Sequence, residues 1–432
     1  MNHPEVPTLR IAIVSDFYLD YVGGMQSSLL EQRAALEGAG HEVLLVSTVR
    51  GARRRDRVVE TASGLEIRPA YTVPGVILPV VGARNKLIAM LREYFVRHGV
   101  DVVHLQTEFG LAHAATTAAH EAGIPVVHTI HTFYWQSTGA WQRFVTPILR
   151  AGLSNVTGIR FTRQHFTDRP SDNLLRNLTL GMARRVDTVV SPSAHQASDL
   201  ADAGLTVPIV VVPNPIARSP RPAAVLTPEQ AAAPRLLWVA RCEPEKRPLV
   251  FAEAALAALA QVGDGAGGFE VDFVGDGAQL DALRELVAGH PQVRVHGNLP
   301  HELVVELMDA ASLVALTSYG FDNQPMTIAE ASSRYRGVLY CDPNLREGLT
   351  NSGFLTETPD AASLTAAIVQ LTTHPAELIA LSEGAKLDSA TFSAATYVDR
   401  ILAVYAGVGA SAGGGGGGGA VTGTGPASET QE

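Results

Sequence analysis

The stretch RIAIVSDFYLDYVGGMQSSLLEQRAALEGAGHEVLLVS, residues 10–47, has the pattern of a β–α–β repeat. An apolar run (RIAIVS, 10–15) is followed by a helix-like stretch that ends at glycine (26–38) and by a second apolar run (EVLLVS, 42–47). Continuous apolar strands separated by helices are typical of a parallel sheet covered on both faces. Because similar runs recur at 102–105, 125–129, 188–191 and 209–212, the first half is predicted to be an α/β layer domain.

The second half repeats this pattern after an interruption. Residues 213–235 form a Pro- and Ala-rich stretch that is typical of a linker. The alternation then restarts, with predicted strands at 236–240, 270–274, 293–295 and 313–316 and predicted helices at 248–259, 279–288 and 301–309. The fold class is therefore α/β, with two Rossmann-like doubly wound domains that face each other across a cleft. Ligands of open α/β sheets bind beyond the carboxyl ends of the strands, so the cleft is the expected site.

These patterns divide the chain into four parts. The N-terminal domain is predicted over residues 1–218 and the C-terminal domain over 219–394. A helix at 395–410 is expected to pack back on the N-terminal domain. Residues 411–432, with seven consecutive glycines, are predicted to be a disordered tail.

Composition excludes several classes of protein. The 432 residues carry 33 Lys and Arg against 43 Asp and Glu, and this net charge of −10 argues against a nucleic-acid partner. Cys242 and Cys341 are the two cysteines, which excludes a disulfide scaffold or a zinc ribbon and favours a reducing cytoplasm. No apolar run reaches the length of a membrane span, and the N-terminus lacks the pattern of a signal peptide. We expect a cytoplasmic protein that is soluble or peripheral to the membrane.

The strongest motif is DNQPMTIAE, residues 322–330, which follows a predicted strand and leads into a helix. The two carboxylate oxygens of Glu330 can accept both hydroxyls of a ribose diol. The backbone amides of 324–327 can face an anion, because the first turn of a helix leaves its N–H groups unpaired. Asp322 could then reach hydroxyls of a sugar beyond that anion. Alternatively, both acids are ordinary surface residues.

A second motif is ARCEPEK, residues 240–246, directly after a predicted strand. Arg241 and Lys246 would stand at the carboxyl end of this strand, where two cations suit a diphosphate. The alternative is that both pair with Glu243 and Glu245 on the surface.

A third motif is the glycine pair Gly23–Gly24, between the first strand and the first helix. Paired glycines let the backbone approach a ligand closely, and the helix that follows presents free amides. A plain tight turn explains the pair equally well.

A fourth set of polar residues follows two neighbouring strands, in HLQTE (104–108) and HTIHT (128–132). His104, Gln106, Glu108 and His131 could bring an imidazole within reach of a reacting hydroxyl. Zinc is disfavoured, since no third ligand of matching spacing is present. A buried histidine with a structural role is the alternative for His104 and His128.

Five stretches, in this order, resemble the motifs of the retaining glycosyltransferases of family 4, which have the GT-B fold. They are VSDFYLDYVGGMQSSLL, VVHLQTEFG, VVHTIHTFY, VARCEPEKRP and DNQPMTIAE, and the resemblance extends over residues 9–410. In detail the sequence is most similar to bacterial lipid glycosyltransferases. The resemblance implies transfer of a hexose from a nucleotide-diphosphate sugar, such as UDP-glucose or GDP-mannose, with retention of anomeric configuration.

The same resemblance implies roles for individual residues. Arg241 and Lys246 would hold the diphosphate, Glu330 the ribose, and Asp322 the donor sugar. The implied catalytic residues are His131, Asp322, Arg241 and Lys246. The implied donor-binding set adds Gly23, Gly24, Asn323, Gln324, Pro325, Met326 and Glu330, and the acceptor side has His104, Gln106, Glu108 and His131. No Asp-x-Asp triplet is present, so we expect neither a metal nor another cofactor.

Three positions depart from the family pattern. Asp322 replaces the usual first Glu, Arg247 stands where many members have Gly, and Pro215 follows Asn214 where Gly is common. Two alternatives stay open: a sugar-nucleotide epimerase on the same scaffold, and an inactive protein that binds nucleotide sugars, for which Asp322 is the only indication.

The expected acceptor is a membrane lipid or a glycan precursor. Residues 135–185 mix aromatic and arginine side chains that could contact an anionic membrane, or could simply shape the acceptor pocket. They are Trp141, Arg143, Phe144, Arg150, Arg160, Arg163, Arg176 and Arg184.

Overall fold

The computed structural model describes residues 7–20, 23–50, 58–73, 78–134, 142–158, 161–216, 221–263 and 268–413. In this part of the chain, two sheets that are almost entirely parallel follow one another in sequence. The two doubly wound α/β layers predicted from the apolar runs are therefore confirmed.

The first sheet has the strand order β10-β9-β8-β7-β1-β2-β4-β3 within the described residues. All of its neighbours pair in parallel except β3 and β4, which form an antiparallel edge. The strands are β1 (Arg10–Tyr18), β2 (Glu42–Thr48), β3 (Val58–Thr61), β4 (Gly64–Ile67), β7 (Val102–Leu105), β8 (Val126–Thr129), β9 (Thr188–Ser191) and β10 (Ile209–Val211). A separate antiparallel pair consists of β5 (Tyr71–Val73) and β6 (Leu78–Val80).

The second sheet is parallel throughout its described strands, in the order β13-β12-β11-β14-β15-β16. The order reverses direction at β11 and β14, and a ligand of such a sheet binds at this switch point. The strands are β11 (Arg235–Val239), β12 (Glu270–Val274), β13 (Val293–Val295), β14 (Leu313–Leu316), β15 (Gly337–Tyr340) and β16 (Gly353–Leu355).

Helices cover both faces of each sheet. Those of the first half are α1 (Gly24–Gly38), α2 (Asn85–Arg97), α3 (Gly110–Glu121), α4 (Gln142–Thr157), α5 (Pro170–Ala183) and α6 (Ala194–Asp202). Those of the second half are α7 (Pro228–Ala232), α8 (Pro248–Val262), α9 (Leu280–Leu286), α10 (His301–Ala310), α11 (Met326–Ser333), α12 (Ala361–Thr373), α13 (Pro375–Asp388) and α14 (Ala394–Gly413). Two 3₁₀ turns lie at Pro244–Lys246 and Ser389–Phe392.

The last helix returns to the first sheet. Ile401 and Tyr405 of α14 share one apolar cluster with Ile11 of β1, Val127 of β8 and Leu36 of α1. The chain therefore crosses from the second sheet back to the first, and α14 completes one face of the N-terminal core.

Two boundaries differ from the prediction. The segment 213–235 contains the short helix α7, whose capping box joins Thr227 and Gln230, so it is more ordered than a plain linker. In addition, α14 (Ala394–Gly413) begins one residue before the predicted helix at 395–410 and extends three residues into the predicted tail, the rest of which lies outside the described residues. No single helix among the described residues is long and apolar enough to cross a membrane, although one pair bent by 97° (Ala361–Thr373 with Pro375–Ala410) passes the same test by length and composition.

Candidate functional site

The loop of Arg241 and Lys246 is built against the loop that follows β12. Cys242 N donates to Asp276 O (2.9 Å), and Gln279 N donates to Cys242 O (2.8 Å). A Cβ atom on Gly275 would lie 1.7 Å from Ala240 O, so only glycine lets the two backbones approach this closely. The close approach at Gly275 was not predicted from the sequence, although the VGDG stretch (274–277) directly after a buried strand indicates it.

Lys246 and Asp322 form an ion pair between Nζ and Oδ1. The two side chains are only 15% and 10% exposed, and Nζ lies 5.2 Å from the centroid of the Phe321 ring. Asp322 Oδ2 is buried and has no hydrogen-bond partner within the described part of the chain. The structure thus brings these two predicted residues together at the carboxyl ends of β11 and β14.

Arg241 lies at the same edge but points into solvent. Its side chain is 57% exposed, and Nη2 lies 3.1 Å from Glu245 Oε1 in an (i, i+4) pair. The surface-pair alternative therefore describes Arg241, whereas Lys246 is held inside the site. A surface pair of this kind contributes little to stability, so Arg241 is free to be recruited by a stronger anion.

Arg247 explains how a residue other than glycine can follow Lys246. Its backbone has φ 58° and ψ 46°, the left-handed region that favours glycine. The guanidinium donates to the carbonyl oxygen of Thr317 (3.2 Å) and to that of Pro359. These two hydrogen bonds offset the backbone strain and fix the loop against the end of β14.

Glu330 lies on α11 with its carboxylate unengaged by any hydrogen-bond donor of the described residues. Burial raises its pKa, the nearby Glu31 of α1 raises it further, and His301 opposes both. The backbone N–H groups of Met326 and Thr327, in the first turn of α11, also have no protein acceptor in the described part of the chain. A carboxylate and two amide donors are therefore available to a ligand at this helix.

The side chains of Asn323 and Gln324, two residues of the predicted donor-binding set, bridge the two domains. Asn323 accepts from the Ser193 hydroxyl and donates through Nδ2 to His131 O (3.4 Å). Gln324 accepts from Asn214 N (2.6 Å) and donates to Asn214 O (3.3 Å). Both amide side chains are thus engaged by the first domain and the interdomain segment. Pro325 is the N-cap of α11 and Met326 is its first residue.

Another carboxylate crosses between the domains at the start of α6. Glu347 Oε1 accepts from Ala194 N at 2.7 Å. A carboxylate is favoured at this position, because the N-terminus of a helix carries partial positive charge. Together with the hydrogen bonds of Asn323 and Gln324, this contact holds the two domains together across the cleft.

His131 stands beside the loop of Asp322, since its carbonyl oxygen accepts from Asn323. Its Nε2 lies 2.6 Å from Gln106 Oε1. Burial lowers the pKa of His131 to about 4, so the imidazole is neutral near pH 7. The structure therefore brings together His131 and Gln106 of the first domain with Asp322 and Lys246 of the second.

His104, which was predicted on the acceptor side, lies between the first sheet and α14. It is fully buried, with Nδ1 2.7 Å from the Tyr405 hydroxyl and Nε2 2.7 Å from the Thr129 hydroxyl. Burial lowers its pKa to about 3. These contacts favour the structural alternative, in which His104 joins α14 to the sheet.

Glu108 is also buried, and its carboxylate accepts a hydrogen bond from another side chain of the same domain. Its Oε1 accepts from the Thr179 hydroxyl of α5 at 3.0 Å. Burial and the neighbouring Asp16 raise its pKa to about 8. Asp16 in turn accepts from backbone N–H groups at the start of α3, including Leu111 N at 2.6 Å. Glu108, which was predicted on the acceptor side, therefore packs at the end of the sheet with its carboxylate bonded to α5.

The glycine pair opens α1. Gly23 is the N-cap of the helix, and a Cβ atom on the exposed Gly24 would meet nothing within 4 Å. Packing does not require glycine at position 24, which is compatible with space kept open for a ligand.

The arginine-rich stretch is only partly visible. Trp141 and Arg160 lie outside the described residues, as do the side chains of Arg143 and Phe144. Arg176 is stacked over the rings of Phe133 and Tyr134, at 5.6 and 5.9 Å from their centroids, and thus packs inside the domain. Among the described residues, no group of three or more His, Cys, Asp or Glu could hold a metal ion.

Comparison with known families gives two matches that together span most of the chain. Residues 22–219 match the family model described as Glycosyltransferase Family 4. Residues 233–374 match the model described as Glycosyl transferases group 1. The division between them falls in the interdomain segment.

Two characterised relatives are alpha-monoglucosyldiacylglycerol synthases. The one from Acholeplasma laidlawii is 28% identical over 142 residues, which is 32% of this chain and 33% of the relative. The one from Streptococcus pneumoniae (strain ATCC BAA-255 / R6) is 26% identical over 208 residues, 48% of this chain and 41% of the relative. The matched stretches thus span between a third and two fifths of these relatives.

Among solved structures, HepE of Anabaena in complex with UDP and glucose is similar over 92% of this chain and 100% of that chain. The TM-score is 0.61 at 16% sequence identity. At this identity the similarity establishes the fold, and the arrangement of two facing parallel-sheet domains is GT-B.

Proposed function

Because the chain combines a Glycosyltransferase Family 4 domain with a Glycosyl transferases group 1 domain in one GT-B fold, we propose that it transfers a hexose from a nucleotide-diphosphate sugar to a hydroxyl acceptor. The donor in this proposal is of the UDP-glucose or GDP-mannose type, and the anomeric configuration is retained. The observation that carries the proposal is the ion pair of Lys246 and Asp322 in a loop of the second domain whose next residue, Asn323, donates to the backbone carbonyl oxygen of His131 in the first domain.

The donor side follows from charge. A nucleoside diphosphate that enters the cleft meets Lys246, the free amides of Met326 and Thr327, and the exposed Arg241. These groups offset the charge that develops on the departing diphosphate, which is the main requirement of this reaction. The free carboxylate of Glu330 accepts the ribose hydroxyls.

The reaction needs one bond exchange and one proton transfer. The bond between the anomeric carbon and the diphosphate oxygen breaks, and the acceptor oxygen bonds to the same face of that carbon. The acceptor proton passes to the departing phosphate oxygen, so that no separate base and no metal is needed. The neutral His131 orients a hydroxyl of the sugar or of the acceptor, and the domains exclude water.

The acceptor in this proposal is a membrane lipid or a glycan precursor, which the enzyme meets at the cytoplasmic face of the membrane. Support comes from the diacylglycerol-modifying activity in the names of the two relatives. A flotation assay tests the membrane contact: the protein should float with vesicles that contain anionic lipid and stay behind with neutral vesicles. If the protein floats with neither kind of vesicle, the proposed membrane contact is contradicted.

A donor screen tests the activity. Release of UDP or GDP is followed from UDP-glucose, UDP-galactose, UDP-GlcNAc and GDP-mannose, with and without a lipid extract and with and without EDTA. Wild type is compared with Glu330→Ala and with Glu383→Ala, a matched change at an exposed position of α13. We expect one donor to be consumed by wild type and Glu383→Ala, but not by Glu330→Ala.

The other outcomes separate the alternatives. Nucleotide binding without turnover of any donor favours an inactive binding protein, and conversion of the donor sugar without transfer favours an epimerase. Loss of turnover in EDTA contradicts the metal-independent step. The anomeric proton coupling of the product, measured by NMR, reports retention or inversion directly.

A further inference from the structure

A chain of buried amide side chains leads from His131 into the protein. His131 Nε2 contacts Gln106 Oε1 (2.6 Å), and Gln106 Nε2 donates to Gln32 Oε1 (2.9 Å). Gln32 Nε2 donates to Asn214 Oδ1 (3.0 Å) and to Ser28 Oγ (3.1 Å). Gln32 and Gln106 are each 1% exposed, so water cannot substitute for these partners.

The direction of these hydrogen bonds fixes the proton on His131. Gln106 Oε1 is an acceptor only, so the imidazole must donate to it from Nε2. The lone pair then lies on Nδ1, which makes no hydrogen bond among the described residues, and the His131 side chain is only partly buried. A hydroxyl in the cleft can donate to this nitrogen. The other tautomer would turn an N–H toward the ligand and lose the contact with Gln106.

The chain is anchored at two distant points. The Tyr397 hydroxyl of α14 donates to Gln32 Oε1 at 3.0 Å, so this oxygen accepts from two donors. Asn214, at the other end, is bonded through its backbone to Gln324, two residues after Asp322. One network therefore joins the last helix, the loop of the second domain and the histidine of the first domain.

From this geometry we infer that Gln32, Gln106 and Tyr397 are positioning residues that hold His131 in the Nε2–H tautomer, with Nδ1 as acceptor for a substrate hydroxyl. The inference deepens the proposed transferase activity and rests on it for the role of the hydroxyl. It also assigns α14 a task at the cleft. In its described part, the helix contributes no side chain to the groups that react. It sets the orientation of the His131 imidazole through the side-chain amides of Gln32 and Gln106.

The same helix supplies a matched control. Tyr405, like Tyr397, is a buried tyrosine of α14 (4% and 2% exposed) that makes a hydrogen bond to the first domain. Its partner is His104, which lies outside the amide chain. Tyr397→Phe and Tyr405→Phe therefore remove equivalent hydroxyls from one helix, and only the first belongs to the network of His131.

The experiment uses the full-length protein. We expect Tyr397→Phe to lower kcat by about threefold to tenfold with donor KM changed less than about twofold, as loss of one hydrogen bond of orientation predicts. Gln106→Met should lower kcat further. Tyr405→Phe should lower the melting temperature about as much as Tyr397→Phe while its kcat stays within about twofold of wild type.

A spectroscopic measurement decides the tautomer without any activity. In ¹⁵N-histidine-labelled protein at pH 7.5, long-range ¹H–¹⁵N correlation distinguishes the two tautomers, and the His131→Gln spectrum identifies the signal. We expect His131 as the Nε2–H form in wild type and Tyr405→Phe, and mixed tautomers in Gln106→Met.

Two results overturn the inference. They are an Nδ1–H tautomer in wild type, and equal losses of kcat in the two tyrosine variants. If no donor is consumed at all, the proposed function fails, whereas the tautomer measurement still tests the positioning network.

Discussion

The Lys246–Asp322 ion pair leads to a prediction that distinguishes its contribution to stability from its contribution to activity. With side chains 15% and 10% exposed, the pair is largely removed from water, and Asp322 Oδ2 is already unpartnered. Lys246→Met leaves the carboxylate without any partner. Loss of one member of such a pair costs about 3 kcal/mol. For a domain of this size, that corresponds to a melting temperature lower by about 6 to 12 °C.

The double variant Lys246→Met/Asp322→Leu should recover most of this loss. Replacing both members of a buried pair by apolar side chains is often neutral, so we expect its unfolding free energy within about 1 kcal/mol of wild type. Turnover should be absent in both variants, because neither can offset the charge of the departing diphosphate. A stable and inactive double variant would separate the catalytic role of the pair from its structural role.

Trp238 provides the assay. Its indole Nε1 donates to the Thr317 hydroxyl (2.9 Å), which in turn donates to Lys246 O (2.8 Å). Fluorescence of Trp238, in a background with Trp135 and Trp141 replaced by Phe, therefore follows unfolding of this loop. The reasoning is refuted if Lys246→Met costs less than about 1 kcal/mol, or if the double variant is as unstable as the single one.

Three further predictions concern single residues. Glu330→Gln should weaken UDP binding at least about tenfold, because the amide offers one acceptor oxygen in place of two, and should not lower stability, because the partly buried carboxyl has no hydrogen-bond donor among the described residues; calorimetry with an unchanged Kd would contradict this. Arg247→Gly should be about 1 kcal/mol more stable than Arg247→Ala, since both lose the carbonyl contacts but only glycine relieves the left-handed backbone; equal denaturation midpoints would count against it. The pKa of Glu108 is raised to about 8, so ionisation of this buried carboxyl lowers the free energy of unfolding increasingly as pH rises from about 4.5 to 8. Glu108→Gln should therefore stabilise the protein by about 2 kcal/mol or more at pH 8 but not at pH 4.5, as thermal melts at the two pH values would reveal.

The strands of both sheets could be predicted from the sequence, because a parallel strand with helices on both faces of its sheet is apolar over its whole length. RIAIVS, EVLLVS and EVDFV each carry this signal locally, and β1, β2 and β12 form there. The strands β3 and β4 were not predicted: β3 is the edge strand, with one partner and no buried residue, and β4, although it pairs on both sides, is only four residues long.

The loops that form the candidate site could be predicted from the sequence, but the hydrogen-bond partners of their side chains could not. Lys246 and Asp322 follow neighbouring strands, so topology alone brings them together. The contact of His104 could not be predicted, because the helix that covers it lies about 300 residues further along the chain. The side-chain partners of Asn323 and Gln324 could not be predicted either, because they belong to the other domain and to the interdomain segment.

The return of α14 to the first sheet has a consequence for synthesis on the ribosome. The strands of the first sheet are complete at Val211, but the helix that closes one face of their core begins at Ala394. At about 5 to 20 residues per second, that interval of roughly 180 residues takes about 10 to 40 s. Throughout it, Ile11, Val127 and their neighbours lack their cover, so the nascent N-terminal domain offers an apolar face to chaperones until the last helix emerges.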